Sequence, residues 1–471
     1  GIANTLAEGN FTMQYPYLSD LPFSYYYFGH LFIASLVKGG IGIFLAYPLI
    51  VILVISALIS GFYATTRDLF KSKLGGLLSI FLMFFSSTCT ACLINDSSWF
   101  SPFFSFSANS GFPIRPLLLS FAFNQLPMAF SFLFFAVFLK AFLELEKDKR
   151  ILLMGLLVAL LPMFGAFFFA LSFILLAYLI LQGKNLSFWK IGLSSLIVGW
   201  LQFFLLYKEK AGAASTLQFV HVELYAHSQS IIDLILFWFQ NAGGHIVLAI
   251  IGIILLKPNK DFLKLYVVSA LLFVLASIIA VFPDPWANEK LFAPFLILTS
   301  IFAAGLLLKL FSFKNEFKYI PYLLIILALL STVHQFKFFI SPSFDIAQQS
   351  LGDKSTLEAC NWLKENTPQK SIIFASEKLE ESGCIFAYAG RLAFYSNNYW
   401  VSSQGLSAQT FENEQKRILN GEVLAIKEHK IDYVLSNSEF ERKISPALKA
   451  NLAVVFENSQ VKVYRVNLPQ N

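Results

Sequence analysis

Of the chain's 471 residues 56% are hydrophobic and 17% aromatic, 53 of them Phe, while only 14% are charged. Soluble domains carry about 25% charge, so the composition excludes a soluble enzyme over most of the length. Charge is also unevenly placed: residues 1–344 hold 21 Lys and Arg with 14 Asp and Glu, and residues 345–471 hold 14 and 15. This puts a boundary near Asp345, with a membrane part at 1–344 and a water-soluble part at 345–471. Nothing in a net charge of +6 spread over this length points to nucleic acid as a partner.

The chain opens Gly-Ile-Ala with neither a basic n-region nor an apolar signal core. We expect it to be a fragment, with a first membrane helix upstream. The segment Tyr15 to Gly39 (YPYLSDLPFSYYYFGHLFIASLVKG) gathers Asp20, Tyr25, Tyr26, Tyr27 and His30 just before an apolar helix. A structural belt of interfacial tyrosines explains the three Tyr. It does not explain a carboxylate and an imidazole, which are costly near a bilayer unless paired or used.

Apolar stretches of crossing length, roughly 17–25 residues, follow at about 41–63, 74–94, 122–144, 165–182, 188–206, 241–257, 264–283, 290–310 and 318–339. A tenth, about 151–163, is short and ends at Leu161-Pro162, as a broken or re-entrant helix would. The expected architecture is a polytopic α-helical membrane bundle of about ten spans. Lys and Arg collect on alternate loops: Arg67, Lys71 and Lys73, then Lys147, Lys149 and Arg150, then Lys184 and Lys190, then Lys257, Lys260 and Lys264, then Lys309, Lys314 and Lys318. By the positive-inside rule these loops are cytoplasmic. Residues 1–40, 95–121, 207–240 and 283–290 and the whole tail then lie on the outer face of an inner, or cell, membrane.

Three outer loops hold candidate groups. Arg115, in Phe112-Pro-Ile-Arg-Pro116, is the one arginine expected outside in the membrane part, a natural partner for a phosphate. The run His221-Val-Glu-Leu-Tyr-Ala-His227 has spacings that suit a metal, although a solvated amphipathic segment accounts for it as well. In Asp284-Pro-Trp-Ala-Asn-Glu-Lys290, Lys290 sits at a membrane boundary where it would meet a lipid phosphate as a point charge, with Asn288 and Glu289 to orient it. The bland alternative is a snorkelling lysine with ordinary caps.

The tail reads as a compact α/β unit. Thr356 to Asn366 carries Leu357, Cys360, Trp362 and Leu363 on a helical stripe that Thr367-Pro368 ends. Short β-rich runs follow at 371–376, 431–435 and 461–466, with a helix-like stretch at 410–430. It contains no GxGxxG, P-loop, HExxH or GxSxG pattern. Of the four cysteines, Cys89 and Cys92 lie in an apolar run, and Cys360 and Cys384 would pair only in an oxidising compartment.

Tyr25-Tyr26-Tyr27-Phe28-Gly29-His30 matches the YYYxG signature of the very hydrophobic YYY membrane proteins, which resemble the GT-C superfamily of multi-span glycosyltransferases. The close match covers about twenty-five residues. The tail adds EAxxWLKENTP (Glu358 to Pro368), AGR (Ala389 to Arg391) and IDYV (Ile431 to Val434), a pattern similar to the ends of GT-C-like proteins. The resemblance implies a sugar donor linked to polyprenyl phosphate, drawn from membrane lipid, and transfer to an acceptor glycan, lipid or protein on the extracytoplasmic face. It places the superfamily's catalytic base, an acidic residue that activates the acceptor, before Gly1 and leaves Asp20 as a second acidic or positioning residue, with His30 beside it. Tyr25, Tyr26, Tyr27, Arg115, Asn288, Glu289 and Lys290 are the expected substrate contacts. No cofactor is fixed, and a divalent metal is possible. The rival readings are a transporter or flippase for a lipid-linked glycan, against which stands the lack of charge in mid-span and of an internal repeat, and a non-catalytic envelope scaffold.

Overall fold

The computed structural model describes residues 2–9, 14–15, 18–22, 28–85, 126–163, 167–182, 186–207, 221–225, 228–280, 288–326, 353–375, 383–395 and 407–468. They gather into two compact units: Gly1–Ile50, Tyr207–Ser215 and Pro342–Asn471 form one, and Val51–Leu206 and Thr216–Ser341 the other. The composition boundary at Asp345 falls outside the described residues.

The second unit is a helical bundle with an inverted surface. Ile52, Leu53, Ile180, Ile197, Leu205, Ile235 and Ile254 are among many large apolar side chains on its outside, a surface that suits lipid rather than water. Among the described residues, four helices are long and apolar enough to cross a membrane: Ile43–Phe70, which begins in the first unit, Leu126–Glu144, Lys260–Ile278 and Lys290–Phe311. The count of about ten spans is therefore not supported. Several expected spans are helical but short, such as Phe167–Leu181 and Gly244–Leu256. In the latter the end falls where expected, as Lys257 turns to a left-handed φ of 47° in the manner of a C-terminal cap, and the shortfall is at the start, where Phe239–Gly243 is π-helical. At Leu161–Met163 the preceding helix, Lys147–Leu160, gives way to a 3-10 turn at the proline that lacks a donor.

The Glu289–Phe311 helix is the axis of this bundle. Phe292, Ile297, Leu298, Ile301, Ala303 and Ala304 are wholly or almost wholly buried. Small residues let neighbours approach closely, as in other membrane bundles: a Cβ on Gly252 of the Gly244–Leu256 helix would stand 2.4 Å from the Phe302 carbonyl oxygen. Aromatic rings continue the packing, with Trp238 against Phe273 at 4.5 Å, Phe273 against Phe295 at 4.5 Å, and Tyr266 against Phe302 at 5.2 Å.

Ion pairs identify one end of the bundle. Lys140 bridges Asp68 and Glu144, Arg67 joins Asp68, and Arg150 meets Asp261 at 3.5 Å while lying over the Phe142 ring. Phe70 and Leu256 both close on Gly305, so the C-terminal ends of three helices share this end. Arg67, Arg150, Lys257 and Lys309, from four of the basic loops of the sequence, therefore lie where these helix ends meet.

In the first unit a five-stranded sheet is built from β1 (Ile372–Phe374), β2 (Leu392–Ala393), β3 (Ile431–Asn437), β4 (Leu452–Glu457) and β5 (Val461–Val466), in the order β2-β1-β3-β5-β4. β1 is parallel to β2 and β3, and β5 is antiparallel to β3 and β4. One face packs Phe374, Phe394, Ile418, Val434 and Phe440, and the other packs Cys360, Leu363, Ile373, Leu435 and Val463. The alternation of strand side chains produces these two cores. The Lys354–Asn366 helix is capped by Asp353, whose side chain accepts from Thr356 N. The helix-like stretch at 410–430 resolves into Ala408–Leu419 and Val423–Glu428, parted at Gly421, whose φ of +82° few other residues adopt.

Candidate functional site

Lys290 stands in the first turn of the axial helix and is half-buried. The Asn288 side chain just before it is 1% exposed. Its Nδ2 donates to the carbonyl oxygens of Ala276 at 2.8 Å and Ile279 at 2.5 Å, using carbonyls that the end of the Lys260–Ile278 helix would leave unpaired. Asn288 thus fixes where the axial helix starts and where Lys290 leaves the chain. Glu289 is the first residue of that helix.

The same end carries an aromatic cluster. Tyr225, from the HVELYAH segment, stacks on Trp238 at 5.5 Å and meets Phe292 edge-on at 4.8 Å, and Trp238 meets Phe292 at 4.7 Å. His221–Val222 pairs with Ile279–Ala280, pinning the segment beside the Asn288 anchor. The Trp238 indole N–H is buried without a hydrogen-bond partner among the described residues, and such donors in native structures are few. Helix geometry of 1.5 Å per residue puts Lys290 and Lys309 about 29 Å apart along one axis, so this cluster lies at the end of the bundle away from the basic helix ends. His227 lies outside the described residues, and no group of three metal-ligating side chains is present among the described ones.

In the first unit, Asp20 belongs to the Leu18–Pro22 strand, antiparallel to Gln14–Tyr15. His30 lies in the first turn of the Phe28–Lys38 helix, on the stripe with Ala34 and Val37 that packs on Leu6 and Ala7. Burial pushes its imidazole down to about 4, so it is neutral at pH 7. Tyr25, Tyr26, Tyr27 and Arg115 lie outside the described residues.

The tail motifs meet around one buried cation. Arg391, 2% exposed, donates from Nη2 to the Lys364 carbonyl at 2.5 Å and the Thr367 carbonyl at 2.9 Å, from Nε to Thr367 Oγ1 at 2.9 Å and from Nη1 to the Ala389 carbonyl at 3.0 Å. It therefore closes the C-terminal end of the EAxxWLKENTP helix, where a cation also suits the helix dipole. Burial lowers the guanidinium pKa and Glu8 opposes that shift. Gly390 has φ +68°, and a Cβ there would meet Glu8 Cγ at 2.6 Å. Asn4 Nδ2 donates to the Tyr388 carbonyl at 2.8 Å. AGR is thus the seat on which the first helix, Ile2–Ala7, rests. In the IDYV motif, Asp432 accepts from Ile372 N at 2.9 Å while burial raises its pKa. Cys360 and Cys384 are joined in a disulfide with Cα atoms 6.1 Å apart. Sequence reasoning gave no role to Glu8 and Asn4, whose partners lie at the far end of the chain.

No family model matches the chain, and no curated protein sequence matches it. Among solved structures it is similar to the oligosaccharyltransferase of Archaeoglobus fulgidus, crystallised with zinc and sulfate: the TM-score is 0.47 and the identity 14%, over 99% of this chain and 68% of that one.

Proposed function

We propose that this chain is a membrane glycosyltransferase of the GT-C type, taking a sugar from a polyprenyl-phosphate donor on the outer face of the inner membrane. The observation that carries the reading is Lys290: a lysine anchored by Asn288 at the start of the axial helix, at the end of the bundle away from the basic helix ends. At the bilayer boundary such a cation suits a phosphate. A donor arriving through lipid also accounts for an aromatic cluster with an unpaired indole donor beside that helix end.

The disulfide supports an extracytoplasmic tail, since such bonds persist in oxidising compartments. By the positive-inside rule the basic end of the bundle faces the cytoplasm. Lys290 holds the donor phosphate, with Arg115 as the further candidate. Asp20 contacts the acceptor, whose hydroxyl needs a carboxylate base to react. His30, neutral at pH 7, serves as a hydrogen-bonding group and not as a cation. Tyr25, Tyr26 and Tyr27 line the sugar's approach, and Glu289 orients Lys290. The resemblance of YYYxG, EAxxWLKENTP, AGR and IDYV to GT-C-like proteins supplies the reaction class. The test is transfer of a labelled sugar from a polyprenyl-phosphate donor by the purified full-length protein. Turnover above a no-protein control supports the reading, and hydrolysis or binding alone opposes it.

A further inference from the structure

The basic end of the bundle contains a feature the proposed transfer does not use. A cavity of about 370 Å³ opens there, walled by Phe70, Leu256, Phe262, Phe302 and Leu308, with Lys309 on its lining. Its volume falls within the range of about 300–1,000 Å³ typical of ligand sites. Helical interiors are close-packed, and a space with so few polar groups does not hold water well, so its natural content is hydrocarbon.

The surrounding charge is positive. Lys309 is exposed, as are Lys71, next to Phe70, and Lys257, next to Leu256. Of the acids at the same end, Asp68 is engaged by Arg67 and Lys140 and Asp261 by Arg150, and Glu316 is outnumbered by Lys309, Lys314 and Lys318 around it in sequence. An apolar recess with a cationic rim between membrane helices is complementary to a lipid with an acidic head.

We propose that this cavity is a binding site for an anionic glycerophospholipid, one acyl chain filling the recess between the Ile43–Phe70, Gly244–Leu256 and Glu289–Phe311 helices and the headgroup phosphate resting on Lys309. The site is independent of the transferase reading, because it lies at the other end of the axial helix from Lys290.

The experiment is native mass spectrometry of the full chain in detergent, titrated with phosphatidylglycerol, with phosphatidylcholine of the same acyl chains, or with inorganic phosphate. The wild type should retain phosphatidylglycerol about fivefold better than phosphatidylcholine, and phosphate should not displace it. Lys309→Ala should abolish the preference, whereas Lys314→Ala, a nearby exposed lysine off the cavity lining, should keep it. Leu308→Trp, which fills the recess, should lower retention of both lipids. Equal retention of the two lipids, an unchanged preference in Lys309→Ala, unchanged retention in Leu308→Trp, or displacement by phosphate would each overturn the proposal.

Discussion

Glu8 and Arg391 face each other across 3.9 Å, although they come from opposite ends of the chain. Because Arg391 is buried and gives its donors to Lys364, Thr367 and Ala389 carbonyls, the pair ties the first helix to the end of the Lys354–Asn366 helix. Removing the arginine strands three buried carbonyls, while Glu8 keeps Lys364 at 3.8 Å. Arg391→Ala should therefore cost about 3–5 kcal/mol, and Glu8→Gln about 0.5–1.5 kcal/mol, measured by chemical unfolding of the full chain in detergent. Equal losses would show that Glu8, not the carbonyl set, holds the arginine.

Gly390→Ala tests the same seat sterically. The added methyl would press on Glu8 in a backbone conformation that disfavours side chains, so a loss of about 1–3 kcal/mol is expected. The substitution should also expose the first helix to proteolysis. Unchanged protection would mean that the helix can shift to make room.

How far this arrangement was legible in the sequence differs by residue. The stripe of Leu357, Cys360 and Leu363 announced its helix because periodicity is local, and β3 and β5 announced themselves by their β-branched runs. β4, as long as β5, escaped because it is an edge strand whose register slips between Val454 and Phe456, which breaks the period-two alternation. Glu8 escaped because its partner lies at the other end of the chain. The span count failed where the α-helix is interrupted inside an apolar run, as at the π-helical Phe239–Gly243, because composition does not register a local change of hydrogen-bond pattern. Asn288 read as an orienter of Lys290, but its hydrogen bonds to Ala276 and Ile279 can be seen only when the two helix ends are brought together.

His30 should make stability depend on pH. Its folded value lies near 4, below the ordinary 6.5, so the unfolded chain binds more protons between the two. Stability is then fully present above about 6.5 and is lost as pH falls toward 4. His30→Gln should flatten that part of the melting temperature profile. A profile identical to the wild type's would show that His30 titrates normally.

The Cys360–Cys384 bond closes a loop with a sequence separation of 24. Its loss in Cys360→Ser/Cys384→Ser should cost roughly 3 kcal/mol. The protein isolated without reductant should carry the bond on peptide mass mapping. Recovery of both cysteines as free thiols from gently lysed cells would contradict an outer location of the tail.

The proposal as a whole turns on Lys290, and the direct measurement is sugar transfer from a polyprenyl-phosphate donor by the full-length protein as wild type, Lys290→Ala and Lys314→Ala in detergent. A hydrogen bond to a charged group contributes about 1.5–3 kcal/mol, so Lys290→Ala should lower kcat/KM for the donor about 10- to 100-fold, with Lys314→Ala unaffected. Transfer by Lys290→Ala at the wild-type rate would remove Lys290 from the site, and no transfer by any of the three above a no-protein control would contradict the transferase reading itself.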